Sequence, residues 1–347
     1  MRFLRVTVFL FGILLLGGCF EQERVEWRLQ SQAVETSIDF QELKLFAESI
    51  RQMSGGRFIV SIHPGGEIAG GPAIFTAVSE GVVEMGNGWP NWWSGQHPAW
   101  AVMNAGPFDF MNLDASMIFF LADEGTALAN QLANPRGVLW RPAWWPGMEF
   151  GLLSREPIRG LDDLKGKKVR IGPGLPSEVL SEASGALTIP LVPAEIEPAL
   201  RAGELDAVEW TTANGAWDLG LQDLSPHAIV PAIWQPSVLS DFLINKEAYD
   251  ALTPDLQAIL ESAMKSFALT TTMKAKKADF AAMRKFLDSD ITINRWSDAD
   301  IQRWRAANDR ILSDYMARDD FLRSLIEAKR RLRKSYDDYY QWFGPYE

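Results

Sequence analysis

Reactive side chains are scarce in this chain. It has one cysteine, Cys19, and three histidines, His63, His97 and His227, among 347 residues. A lone cysteine leaves no internal disulfide and no paired thiolate site for a metal. The histidines stand far apart and form no HExxH pair, which excludes a zinc site of that kind. Neither a GxSxG elbow nor a Walker loop occurs. Positive charge is also in deficit, with 34 Lys and Arg against 45 Asp and Glu, a net charge of −11. That balance argues against a nucleic acid as partner, because phosphate binding needs a basic surface. It also means that an anionic ligand must be held by a local cation, since the field of the whole protein repels it. Past the first residues, no run is long and apolar enough to cross a bilayer.

The first residues carry a targeting pattern. Arg2 and Arg5 form a basic start, Val6–Leu16 an apolar core, and Leu16-Gly17-Gly18-Cys19 a processing site. An apolar run this short is no ordinary anchor, which takes about twenty residues. Leu-Gly-Gly-Cys after such a run resembles a bacterial lipoprotein signal, in which Cys19 becomes the lipidated first residue. The alternative is an ordinary cleaved signal peptide. The whole chain is 47% hydrophobic and 23% charged, the balance of a folded protein long enough for two cores.

The most informative stretch is Lys165 to Trp210. Its periodicity predicts strands at 168–171, 188–192 and 205–210, with helices near 177–184 and 194–202 between them. Gly203 is placed to end the second helix in the left-handed conformation. Strands alternating with helices make a parallel sheet, and ligands collect at the carboxyl ends of its strands. Arg170 and the pair Glu209-Trp210 fall at such ends, so a guanidinium and a carboxylate face one crevice from neighbouring strands. The turn IGPGLPS is not a dinucleotide loop: Ser177 replaces the third glycine, and Pro173 and Pro176 remove two amide donors.

An earlier segment, AVSEGVVEMG at 77–86, shares the design of ALRAGELDAVEW at 199–210: helix, capping glycine, short strand. Two similar α/β lobes sharing a cleft is the simplest reading. Further strands are expected at 26–32, 57–63, 82–86 and 148–154, and over 229–243, the last two crossing between lobes. Helices are expected at 39–54, 72–80 and 254–287, from Ser297 onward with a Ser297-to-Asp300 cap, and over 319–343. The loop NGWPNWW puts Asn91, Trp89, Trp92 and Trp93 just past a strand end, where aromatics can wall a cleft.

By residue type alone the chemistry stays open. Arg170 is either a bidentate fork for a carboxylate or half of a structural ion pair. Glu209 is a buried acid, a surface acid or a ligand for a hard cation, to which Gln235 could add an amide oxygen.

Taken together, WRLQS at 27–31, SGGRFIVSIHPGGEI at 54–68, AVSEGVVEMG, KGKKVRIG at 165–172, GA-x-x-x-P at 185–190 and ALRAGELDAVEW are more specific. In this order the chain resembles the solute-binding receptors of TRAP (tripartite ATP-independent periplasmic) transporters, over nearly all of its length after the signal. Glu209-Trp210 and the later Trp234-Gln235-Pro236 resemble the 2-oxo acid and 2-hydroxy acid receptors among them. The resemblance implies a two-lobed α/β fold of the periplasmic-binding-protein kind, with crossing strands and long C-terminal helices. The chain then divides into a signal at 1–19, lobe I at 20–147 with about 236–290, lobe II at about 148–235 with about 291–320, and a terminal helix at 321–347.

It also implies a site. Arg170 pairs with the carboxylate of a small organic acid, and Glu149, Asn91, Trp92 and Trp210 line the pocket. Ca²⁺ or Na⁺ is held by the Glu209 side chain, the Trp210 carbonyl and the Gln235 side chain. The implied partners are the membrane permease subunits and, through the C-terminal helix, a second copy of the chain. The implied place is the periplasm. Two positions depart from the resemblance: Glu149 stands where similar receptors carry glutamine, and Asn91-Trp92-Trp93 replaces a tyrosine-rich loop. A second acid beside Glu209 favours a divalent ion. The rival functions are a periplasmic metal-dependent lyase or hydrolase using Glu149 and Glu209, and a sensor that presents its ligand to a receptor.

Overall fold

The computed structural model describes residues 24–344 and holds two sheets. Cys19 and its signal lie outside these residues. The strands are Val25–Ser31 (β1), Phe58–His63 (β2), Met85–Gly88 (β3), Val138–Gly147 (β4), Leu152–Ser154 (β5), Lys168–Arg170 (β6), Leu187–Ile189 (β7), Ala207–Glu209 (β8), His227–Val230 (β9), Val238–Asn245 (β10) and Thr292–Arg295 (β11). The first sheet has the order β2-β1-β3-β10-β4 and the second β11-β9-β5-β8-β6-β7. Within the second, β6 runs parallel to both β7 and β8. The two sheets define two lobes.

The chain passes from the first sheet to the second between β4 and β5 and returns between β9 and β10. The two crossing segments are tied together: the Glu149 amide donates to the Gln235 carbonyl at 3.4 Å, and the Ala232 amide to the Glu149 carbonyl at 3.4 Å. A third connection is the helix Pro254–Asp288, which packs on β4 and also on the helix Ala213–Asp218 of the second lobe. The return crossing is pinned by aromatics. Trp234 stacks on Trp304 with centroids 5.3 Å apart, and the Trp296 indole donates to the Pro231 carbonyl at 2.9 Å.

Local signals explain most elements. In the helix Ile38–Met53, Phe40, Leu43, Phe46 and Ile50 recur every three or four residues and are buried, and Ser37 caps its start. Ser297 accepts from the Asp300 amide at 3.1 Å, as the sequence suggests. Gly203 ends the helix Pro193–Ala202 at φ +79°. The terminal helix Asp320–Phe343 buries Leu322, Leu325 and Ile326.

Three strand expectations need correction. The short strand expected at 82–86 is Met85–Gly88, because the amides of Val82 and Val83 both turn back to the Ala77 carbonyl and finish the helix. Of 148–154, only Leu152–Ser154 is strand, so Glu149 lies in the crossing segment instead. The break is at Gly151, at φ +148°, where a β-carbon would collide with the Ile229 carbonyl. The stretch 229–243 is two strands, separated where Pro231 and Pro236 cannot donate to a ladder.

Trp93 is also corrected: it is core, and walls no cleft. Its indole donates to Asp241 Oδ2 at 2.8 Å, and that of Trp140 to the same oxygen at 2.7 Å. Asp241 is fully buried on strand β10, and its Oδ1 has no partner. Burial pushes its carboxyl from 3.8 up to about 7, against the pull of the two indole donors. A native state that holds this proton more tightly than the unfolded chain loses stability as pH rises from about 4 to about 7. Urea unfolding across that window should show a fall of up to roughly 4 kcal/mol from this group. In Asp241→Asn that component should vanish; an identical pH profile in the variant would contradict the assignment.

Candidate functional site

The carboxyl ends of β6 and β8 bring Arg170 and Glu209 together. Arg170 Nη1 donates to Glu209 Oε2 and to the Glu209 carbonyl, each at 2.8 Å. Nε and Nη2 donate to the Leu191 carbonyl at 3.1 and 2.8 Å. The Gly172 amide adds a bond to Glu209 Oε2 at 3.2 Å, and the guanidinium lies 5.1 Å over the Trp210 ring. Both residues are only 2% exposed. The fork expected to be free for a ligand is therefore largely engaged within the protein. Of the five N–H groups of an arginine, one remains.

A second carboxylate faces the pair. Glu149 enters from the first crossing segment, is 6% exposed, and leaves Oε2 without a partner. Burial, and then the neighbouring charge of Glu209, push its carboxyl well above the usual range; Arg170 opposes this. Burial also pulls the Arg170 guanidinium down, with both acids opposing. Gln235 arrives from the second crossing segment, buried beside them. Two acids face one guanidinium in a desolvated cavity; ionising both there would leave a deficit of positive charge, which is why the second carboxyl is pushed up.

Such a site fits a hard cation. Among the described residues no group of three or more His, Cys, Asp or Glu is placed to hold a metal, so an ion here would need amide and backbone oxygens beside the two acids. The oxygens of Glu149, Glu209, Gln235 and the backbone at Trp210 are the mixed set that calcium or sodium accepts.

The opposite wall comes from the first lobe. Asn91 Nδ2 donates across the cleft to the Pro173 carbonyl at 2.9 Å. Asn91 is held in turn by Asn104 Nδ2 at 2.9 Å, and Asn104 Oδ1 accepts from the Leu239 amide at 2.9 Å. The lobes thus touch around a cavity that encloses about 430 Å³ of space, part of it open to solvent.

Arg170, Glu149, Glu209, Trp210, Gln235, Asn91 and Trp92 all line that cavity, as does Trp89. Sequence reasoning missed Gln32, Asn104 and Thr211. Gln32 follows the carboxyl end of β1, the position at which ligands gather in such sheets, and could have been found on that ground. Thr211 gives no such signal; it turns the chain after Trp210 at φ +34°, rare for a β-branched residue.

Removing the guanidinium leaves two buried acids uncompensated. Arg170→Ala should cost roughly 3–5 kcal/mol of folding stability in metal-stripped protein. Glu149→Gln should act oppositely and raise Tm, since it removes an acid with an orphaned oxygen. Urea and thermal unfolding at pH 7 check both; an Arg170→Ala variant as stable as the parent would contradict the electrostatic picture.

Comparison with known proteins gives one consistent result. Residues 29–319 match the bacterial extracellular solute-binding proteins, family 7. A monocarboxylate 2-oxoacid-binding periplasmic protein of Nostoc sp. is 26% identical over 311 residues, which is 89% of this chain and 84% of the relative. A TRAP periplasmic solute-binding protein of Pseudoalteromonas atlantica, solved with sodium and pyruvate, superposes with a TM-score of 0.87 at 24% identity, over 92% of this chain and 97% of that one. Another from Colwellia psychrerythraea, solved with calcium and pyruvate, gives 0.86 at 23% identity over the same shares. The chain belongs to the bacterial extracellular solute-binding proteins of family 7.

Proposed function

We propose that this protein is the periplasmic receptor of a TRAP transporter and captures a small 2-oxo or 2-hydroxy monocarboxylate together with a cation. The observation that carries the reading is the charge deficit at Arg170, Glu209 and Glu149, buried between two lobes. A carboxylate ligand alone would deepen that deficit. A bound cation supplies the missing positive charge between the protein acids and the carboxylate and 2-oxo oxygens of the ligand. Glu209, Gln235 and the Trp210 carbonyl are assigned as its ligands. Arg170 gives its remaining N–H to the ligand carboxylate and holds Glu209 in place. Asn91, Trp92 and Trp210 shape the pocket.

No bond is made or broken in this cycle. Ligand and cation contact both lobes and shift an open–closed equilibrium, and the permease recognises the closed form. The family's members are receptors, and no histidine lines the cavity to assist the lyase or hydrolase reading.

Glu149 decides which cation. Two carboxylates favour a divalent ion over a monovalent one, because ligand charge tunes hard-cation affinity. Calorimetric titration of metal-stripped protein with pyruvate should show binding with Ca²⁺ present and little with Na⁺ alone. Equal binding with chelator present would remove the cation from the account. Failure of every 2-oxo acid to bind would remove the ligand class.

A further inference from the structure

The headgroup cavity is not closed on all sides. A second, larger cavity, about 720 Å³ of space partly open to solvent, adjoins it, and the two share Gln32, Trp89, Pro193, Trp210 and Thr211 as walls. Its lining differs in kind. The indoles of Trp89, Trp144 and Trp210 meet Ile38, Leu219 and Ala275 there. Trp89 and Trp144 pack with centroids 6.0 Å apart, and the buried Nε1 of Trp144 has no partner.

Charge in the second cavity is of one sign. Asp39 and Asp218 line it, and no lysine or arginine does. A second carboxylate on the ligand would find no cation here and would meet two acids. An apolar or aromatic chain would find indole faces on which to lie.

Resting on the receptor reading above, we propose that this second cavity is a side-chain subsite, and that the preferred ligands are 2-oxo monocarboxylates with a branched or aromatic tail. The carboxylate and 2-oxo group sit at Arg170 and Glu209. The tail passes between Trp89 and Trp210 toward Trp144 and Leu219. Pyruvate fills only the headgroup cavity.

The test is calorimetric titration of the full receptor, in excess Ca²⁺, with pyruvate, 4-methyl-2-oxopentanoate, phenylpyruvate and 2-oxoglutarate. Burial of one methylene is worth about fourfold in affinity, so 4-methyl-2-oxopentanoate should bind at least about tenfold tighter than pyruvate. Phenylpyruvate should share the gain. 2-Oxoglutarate, which carries a terminal carboxylate into the acidic chamber, should bind at least about tenfold more weakly than 4-methyl-2-oxopentanoate. Leu219→Trp, which fills the chamber, should bring the ratio of 4-methyl-2-oxopentanoate to pyruvate affinity close to one. Pyruvate binding as tightly as the longer acids, or an unchanged ratio in Leu219→Trp, would overturn the subsite and leave the headgroup reading intact. No binding by any of the four acids would overturn that reading and the subsite with it.

Discussion

The ion pair between Arg170 and Glu209 is the constraint on which the site depends. Both groups have left water almost completely, and an unpaired charge at that depth would cost several kcal/mol. The pair persists because the surroundings complete it: the Leu191 carbonyl and the Glu209 carbonyl take guanidinium N–H groups, and the Gly172 amide supports the carboxylate. These partners come from the ends of β6, β7 and β8 or just past them, so the parallel ladder sets the geometry. The arrangement is balanced only for one acid. A second acid, Glu149, finds no guanidinium of its own, and its carboxyl is pushed up in consequence; in the proposed function a bound cation supplies the charge that would let both acids ionise.

The other contributors gather at one place in the fold. Glu149 and Gln235 sit on the two crossing segments, next to the backbone bonds that tie these segments together. The site therefore occupies the joint between the lobes, and a ligand there bears on both at once. Asn91 reaches the Pro173 carbonyl from the first lobe, with Asn104 behind it. Trp234, locked on Trp304 and next to Gln235, keeps the return crossing rigid at the same point. In the proposed open–closed cycle, closure would rest on this small set of polar contacts beside a crossing segment packed by aromatics.

Much of this was legible in the sequence, and the exceptions have physical causes. The strand–helix alternation from Lys165 to Trp210, the cap at Ser297 and the glycine stop at Gly203 are local signals, read correctly because propensity and periodicity act locally. The seven positions named for the site from strand ends and the resemblance fall on the walls of one cavity, and their roles there belong to the proposed function. What escaped is non-local. Glu149 looked like a strand residue, because the break that excludes it from the strand lies at Gly151, packed against the Ile229 carbonyl nearly eighty residues away in sequence. Trp93 looked like a cleft wall, because its burial follows from Asp241 on a distant strand. The engagement of the Arg170 fork by Leu191 could not be seen either, since a carbonyl acceptor leaves no mark on residue type.

The most direct test of the central claim is terbium luminescence. Terbium occupies hard-oxygen cation sites of the calcium kind, and the indoles of Trp89, Trp92 and Trp210 line the cavity close enough to sensitise it. The account predicts indole-sensitised emission that saturates at a single ion, strengthens when pyruvate is added, is displaced by Ca²⁺, and disappears in Glu209→Gln. Emission that survives Glu209→Gln unchanged, or none at all in the parent protein, would contradict it.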